Sequence, residues 1–419
     1  MQVVNDVARN YATPIIVELS QQPDMQFSRP LRICGVVPVY CHPEWRGGGV
    51  ARTATDLLSA LARRGNQVTV ISPLFDGNHR FDVPSQVTFY EGRLRFVYAP
   101  AAHPTRFGTS SDNLAALLSP LLSQVDVVHI HSFMSPWTDV AASLARRRGV
   151  CYVIQDHGKL TPSISSNRAI PKRLYLALRG LGLLRSASRI VPSAENVAEC
   201  LRRWDPQLKC ESCTNGLDPA EFGGSVGDRP LASPYVLFLG WLDPRKNVDL
   251  LMRAFAKVAR ETEPWKLALV GPDSYSQSGS LLRLAEKLGI NDRVVMPGMV
   301  RGDAKLAWLR HAGLFVLPST GEGLSLAMIE ALACGLPCLL SAGCNYPAIE
   351  SAKAGQVLPI TESAWSDGLR NWIQDSRARE QAGRQARKLF EDHHTIEKVG
   401  ESLESLLYRA VSESTGTQV

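Results

Sequence analysis

Short, almost continuously apolar runs recur along this chain, each closing on small, polar or helix-breaking residues and most followed by a stretch with helical spacing. The first is RICGVVPV (32–39), followed by Gly47, Gly48 and Gly49, then by TATDLLSALARRG (53–65), which stops on a glycine. QVTVIS (from 67), RFVYA (from 95), DVVHIH (from 126) and CYVIQDHG (from 151) continue the series. Strands this apolar are buried on both faces, as in a parallel sheet covered by helices.

A second series begins after TNGLDPAEFGGSVGDRPLASP (214–234), a stretch rich in glycine, proline, aspartate and serine. YVLFLG (235), KLALVG (266), RVVMPG (293), LFVLPS (314), PCLLSA (337) and QVLP (356) again alternate with helical stretches. At 419 residues the chain exceeds one ordinary core. The pattern therefore predicts two α/β domains, at 31–215 and 235–390, with a linker over 216–234. Residues 1–30 read as a leader or edge segment, and 391–419 as an amphipathic helix with a tail.

Open parallel sheets bind ligands beyond the carboxyl ends of their strands, so function is sought at the strand exits. There lie His129 and His131, Asp156-His157-Gly158, Gly240, Gly271-Pro272-Asp273 and the loop from Ser319 to Glu322. His129 and His131 are expected to face apart and to be structural. Cys210 and Cys213 form a C-x-x-C without a second ligand pair, so neither a metal nor a redox site is read there.

The composition, 45% hydrophobic and 21% charged, is that of a globular protein. A net charge of +6 without a dense basic run argues against a nucleic-acid partner and is compatible with anionic substrates. No apolar run approaches the ~20 residues of a membrane-spanning helix, and a cytoplasmic location is expected. The basic and apolar stretch IPKRLYLALRGLGLLRSASR (170–189) raises peripheral contact with an anionic membrane, although a core helix is the simpler account.

The stretch STGEGLSLAMIEALACGLPCLLS (319–341) places Glu322 in a loop and Glu330 inside the helix that follows, which Gly335 and Pro337 terminate. Amides from Gly323 to Leu326 at such a helix start attract an anion. A diphosphate resting there would leave the two carboxylates free to accept hydrogen bonds from hydroxyls on either side. The plain alternative is that Glu322 complements the helix dipole and Glu330 is solvated.

Taken together with RICGVVPVYCHPEWRGGGVAR, DVVHIHSF, QDHGKLTP, TNGLD, YVLFLGWLDPRKNVDLLMRAF, LALVGPD and DRVVMPGMVRGDAKLAWLRHAGLFVLPSTGEGLS, this E-x7-E element resembles the retaining, nucleotide-sugar-dependent glycosyltransferases of family 4. The resemblance implies the GT-B architecture, two Rossmann-like αβα domains facing each other across a cleft. It also implies a donor linked to UDP or GDP, and a glycan or lipid-linked acceptor. Glu322 would hold hydroxyls of the donor hexose and Glu330 the nucleotide ribose. Gly323, Ser325 and Leu326 would meet the diphosphate, and Lys246 would neutralise the leaving phosphate. His157 would lie near the reacting carbon, while Gly48 and Gly49 would let diphosphate and acceptor approach closely.

Two departures stand out. Trp241 follows Gly240 where the family usually has arginine, and the neighbouring Arg245 is the available replacement. Ala348 stands where similar sequences often carry an acid. The sequence therefore predicts a hexosyltransferase of glycan, polysaccharide or lipopolysaccharide synthesis with no obligatory metal, because lysine and helix amides can stabilise the leaving group. The alternative is a donor-binding protein or complex subunit with weak catalysis, motivated by Trp241.

Overall fold

The computed structural model describes residues 29–44, 48–76, 79–99, 104–105, 108–109, 113–160, 174–224, 227–273 and 275–416. Trp45 to Gly47, most of the leader and the first residues of the basic stretch lie outside them. The described residues divide into two compact units: one holds residues 29–218 together with 393–416, the other Pro219–Asp392.

The first unit carries a seven-stranded sheet. Its strands are β1 (Arg32–Val36), β2 (Gln67–Pro73), β3 (Gln86–Phe89), β4 (Leu94–Ala99), β5 (Val127–His131), β6 (Cys151–Asp156) and β7 (Arg189–Pro192), in the order β7-β6-β5-β1-β2-β4-β3. All pairs are parallel except β3 with β4. That antiparallel edge was not anticipated from the sequence. It follows from Tyr90, Glu91 and Gly92, all at positive φ (50°, 56° and 85°), which fold the chain back in a tight hairpin.

The second unit is a six-stranded, wholly parallel sheet of β8 (Tyr235–Leu239), β9 (Lys266–Val270), β10 (Val294–Gly298), β11 (Leu314–Leu317), β12 (Cys338–Ser341) and β13 (Gly355–Leu358), in the order β10-β9-β8-β11-β12-β13. Every residue of β8 and β11 is buried, which is why both runs read as continuously apolar. In each unit the first strand lies inside the sheet, with successive crossovers running outward on both sides.

The C-terminal segment is not a separate appendage. The Ile396–Thr415 helix packs on the Gly49–Arg63 helix of the first unit, so closely that a Cβ on Gly400 would sit 3.0 Å from Cβ of Ala60. Leu217 bridges Thr395, and Glu404 accepts from Asn66 Nδ2 and, at 2.7 Å, from Arg64 Nε. The unit boundary consequently falls at Asp218 and Pro219, at the start of the expected linker, and the chain crosses back at His393. Sequence periodicity identifies the last helix but holds no record of which unit receives its apolar face.

All nine cysteines are free. Cys213 is buried and its thiol is pushed up to about 12 by that burial, as befits a small hydrophobe. Among the described residues, no group of histidine, cysteine and acidic side chains has the makings of a metal site, and no helix is long and apolar enough to cross a membrane.

Candidate functional site

In the second unit the strand order reverses between β8 and β11, from which the chain continues towards opposite edges of the sheet. Such a point opens a crevice at the carboxyl ends. The β8 exit carries Gly240, Trp241 and a short 3-10 turn, Pro244–Lys246; the β11 exit carries Ser319 to Ser325 and then the Leu326–Ala333 helix.

The two exits are laced together by backbone. The carbonyl of Arg245 accepts from Thr320 N at 2.8 Å, from Thr320 Oγ1 at 3.1 Å and from Ser319 Oγ at 3.3 Å. Asn247 occupies the left-handed region (φ 48°) and donates from Nδ2 to the carbonyl of Pro318 at 2.8 Å. The result is an ion pair: Lys246 Nζ donates to Glu322 Oε1, with side-chain exposures of 16% and 13%.

Glu322 is held from its other side by the loop after β12. Its amide donates to the carbonyl of Gly343 at 2.8 Å, and its own carbonyl accepts from Asn345 Nδ2 at 2.5 Å. Gly343 is needed there, since a Cβ would lie 2.3 Å from the Ser319 carbonyl oxygen. Asn345 sits at φ 55°, a conformation that asparagine tolerates better than most side chains. Neither residue was singled out by the sequence reading, because their partners lie more than a strand away.

Ser325 caps the Leu326–Ala333 helix, its Oγ accepting from Met328 N at 3.4 Å. First-turn amides of a helix have no intrahelical partner and carry the positive end of its dipole. Gly323, Ser325 and Leu326 follow Glu322 directly in the chain and lead into this helix start. Glu330 is not solvated: only 5% of its side chain is exposed, and Lys305 of the Gly302–Arg310 helix donates to its Oε1 at 2.6 Å. Lys305 was also missed, since it reaches Glu330 from a helix earlier in the chain.

Arg245 does not stand in for an arginine at position 241. Its guanidinium is engaged by Asp243, Nη2 to Oδ2 at 2.6 Å and Nε to both carboxylate oxygens at 3.1 Å. Burial would raise the Asp243 carboxyl, but these bonds outweigh it and hold the group below the usual range. Trp241 is half exposed, leaving Lys246 as the cation paired with Glu322.

The first unit has its own reversal between β1 and β5. Gly48, at φ 70°, precedes the Gly49–Arg63 helix, and a Cβ there would meet nothing within 4 Å, so conformation and not space selects glycine. After β6, the buried Asp156 accepts from the amides of Gly158, Lys159 and Leu160 at 3.1, 3.0 and 3.0 Å, a turn completed by Gly158 at φ 85°. That turn presents His157.

His129 and His131 do not face apart. Residues two apart on a strand share a face, and their ring centroids are 4.2 Å apart. His131 Nδ1 lies 3.1 Å from His157 Nε2, and His129 Nε2 lies 3.1 Å from Gln155 Oε1. Burial lowers all three histidines: His129 to about 4, His157 to about 3 and His131 well below the ordinary value.

Of the basic stretch, Leu183 and Leu184 are buried, whereas Leu174 and Leu178 are exposed. Arg185 pairs with Asp205 at 2.8 Å and Arg179 lies 3.6 Å from Asp139.

Residues 47–221 match the family model described as Glycosyltransferase Family 4, and residues 226–389 match that described as glycosyl transferases group 1. The chain is 24% identical over 347 residues to the GDP-mannose-dependent alpha-(1-6)-phosphatidylinositol monomannoside mannosyltransferase of Mycolicibacterium smegmatis, covering 76% of this chain and 83% of that protein. The sucrose-phosphate synthase of Thermosynechococcus elongatus superposes with a TM-score of 0.70 at 19% identity, over 91% of this chain and 100% of that one. Anabaena HepE in complex with UDP-glucose gives 0.66 at 16% identity, over 90% and 99%. These structures share the two-domain GT-B fold.

Proposed function

Because the chain belongs to the family 4 glycosyltransferases, we propose that its second unit grips a nucleotide diphosphate hexose at the β8–β11 reversal and that the hexosyl group passes to a hydroxyl acceptor with retained configuration. The observation that carries the reading is the Lys246–Glu322 ion pair beside the Leu326–Ala333 helix start. The diphosphate rests on the first-turn amides and Lys246. Glu322 accepts from hexose hydroxyls, and Glu330, oriented by Lys305, accepts from the ribose.

In the reaction the bond between anomeric carbon and diphosphate oxygen breaks, a bond to the acceptor oxygen forms on the same face, and the acceptor proton passes to the departing diphosphate. Negative charge grows on the leaving oxygens. The ammonium of Lys246 has three N–H groups, so it can serve Glu322 and a phosphate oxygen together. Donors fixed in advance stabilise developing charge without reorganising when it appears. In the first unit, His157 contacts substrate oxygen atoms and Gly48 and Gly49 leave room for close backbone approach.

Lysine and helix amides carry the charge stabilisation in this reading, so turnover persists in a chelator. The donors read here are UDP- or GDP-linked, and the acceptor a glycan or lipid-linked sugar. The exposed Leu174 and Leu178 next to Arg179 favour a peripheral contact with anionic lipid; absence of co-flotation with anionic liposomes removes it.

The test is nucleoside diphosphate release over a panel of UDP- and GDP-sugars, with thermal shift at millimolar donor. Turnover with one donor class, abolished in Glu322→Ala and strongly reduced in Lys246→Ala, supports the assignment. Donor binding without turnover across acceptors would leave the weakly catalytic reading in its place, and no melting response to any nucleotide sugar would sink both.

A further inference from the structure

We infer that His131 fixes the tautomer of His157, placing the His157 proton on Nδ1, so that His157 offers substrate a hydrogen-bond donor and not a base. The inference rests on the proposed contact between His157 and substrate oxygen atoms.

The argument concerns one proton. His131 Nδ1 and His157 Nε2 are 3.1 Å apart, and the rings lie parallel to within 13° with their centroids 5.4 Å apart, the spacing of two rings meeting edge to edge through an in-plane hydrogen bond. Two neutral imidazoles at this distance share a single proton, donated by one and accepted by the other. The opposite nitrogen of His131 decides which. Nε2 of His131 is fully buried and has no hydrogen-bond partner among the described residues.

If His157 donated, the His131 proton would have to sit on Nε2, as a buried N–H with no acceptor. Orphaned buried N–H groups are rare. If His131 donates from Nδ1, its Nε2 is a bare buried lone pair beside the ring of His129. That arrangement satisfies the only donor His131 has. Nε2 of His157 is then the acceptor, and the remaining proton of His157 sits on Nδ1.

Both rings stay neutral because burial disfavours the imidazolium, reinforced at His131 by His129 and His157 and at His157 by His129 and Lys159. The turn held by Asp156 keeps the backbone of His157 in place independently of its ring, so the hydrogen bond from His131 sets ring orientation and tautomer and not the fold of the loop. His131 is in this sense a positioning residue. Its β-strand neighbour Gln155 engages His129 and leaves the His131–His157 pair to itself.

Long-range 15N–1H correlation on protein labelled at histidine reads the tautomer directly, with the His157 signals identified by their loss in His157→Gln. The expected result is a protonated Nδ1 and an unprotonated Nε2 at His157. The reverse pattern overturns the inference. Activity supplies a second readout: His131→Asn places an amide N–H where Nδ1 was, whereas His131→Leu removes the donor. His131→Leu is expected to lower kcat about tenfold or more with donor KM within about twofold, and His131→Asn to recover most of it. Equal kcat in the wild type and His131→Leu overturns the positioning role. If His157→Ala itself leaves kcat unchanged while the nitrogen spectrum shows the expected tautomer, the substrate contact fails and the tautomer assignment stands.

Discussion

Lys246 donates to the carboxylate of Glu322 although 76 residues separate them, and both side chains are largely withdrawn from solvent. Two adjacent parallel strands, β8 and β11, bring their exit loops together, and the Arg245 carbonyl binds one loop to the other. Opposite charges partly removed from water at one strand reversal are a preorganised element of the proposed donor site.

Removing one member leaves the other with an unpaired, largely desolvated charge. Lys246→Ala is expected to lower kcat/KM by about 100- to 1,000-fold, the usual loss for one preorganised charge-stabilising donor. Glu322→Gln combined with Lys246→Ala is expected to cost less than the product of the single losses, since the two act as a unit. Initial rates of nucleoside diphosphate release measure both.

Asn345 holds the Glu322 carbonyl from a left-handed backbone position. Asn345→Gly keeps the backbone and deletes the bond, so donor KM should rise several-fold with little change in melting temperature. Asn345→Val loses the bond and adds about 1–2 kcal/mol of backbone strain, which thermal denaturation should register as a clear drop in Tm. Equal melting of the two variants would contradict the role assigned to φ.

Two glycines at positive φ are expected to respond differently to alanine. At Gly271 (φ 144°) a Cβ would lie 1.9 Å from the Gly240 carbonyl oxygen, so the β8 and β9 exits must separate. Gly271→Ala should destabilise the second unit by about 3 kcal/mol or more, the range of backbone disruption. At Gly48 (φ 70°, ψ 149°) a Cβ meets nothing within 4 Å, and Gly48→Ala should cost only the conformational strain of about 1–3 kcal/mol. Urea denaturation of each variant checks the difference.

The first unit should be acid-sensitive. Burial holds His129 and His394 at about 4 and His157 at about 3, all below the unfolded value near 6.5. As pH falls from 6.5 to about 4, the unfolded chain takes up protons that the folded one refuses, so stability present at neutral pH is lost. Each histidine contributes up to about 1.4 kcal/mol per pH unit within its window. Asp156, whose carboxyl burial raises, works in the opposite sense and weakens the slope at its acid end. Hydrogen exchange of the amides in β5 and β6 at pH 7 and pH 5 follows the effect, with protection expected to fall at the lower pH.

Much of this protein is written in local spacing. Most strands announce themselves as apolar runs, and the inner ones such as β8 and β11 do so because both faces of an inner parallel strand are covered. The exception, β3, is a half-exposed edge strand whose alternation is short and whose direction is set by the Tyr90–Gly92 turn. The histidine pair on β5 was misjudged by a period: residues two apart on a strand share a face, and that brings the rings of His129 and His131 together.

What the amino-acid order determined alone was the inventory: strands, helix starts, the glycines that leave them, and the E-x7-E element with its lysine. Which charges meet was decided by tertiary structure. Lys305 reaching Glu330, Asn345 bracing Glu322 and the last helix returning to the first unit are all pairings between segments remote in sequence. Local propensity acts over a few residues, whereas these contacts are fixed by the order of strands in the sheets and by which apolar face each helix buries.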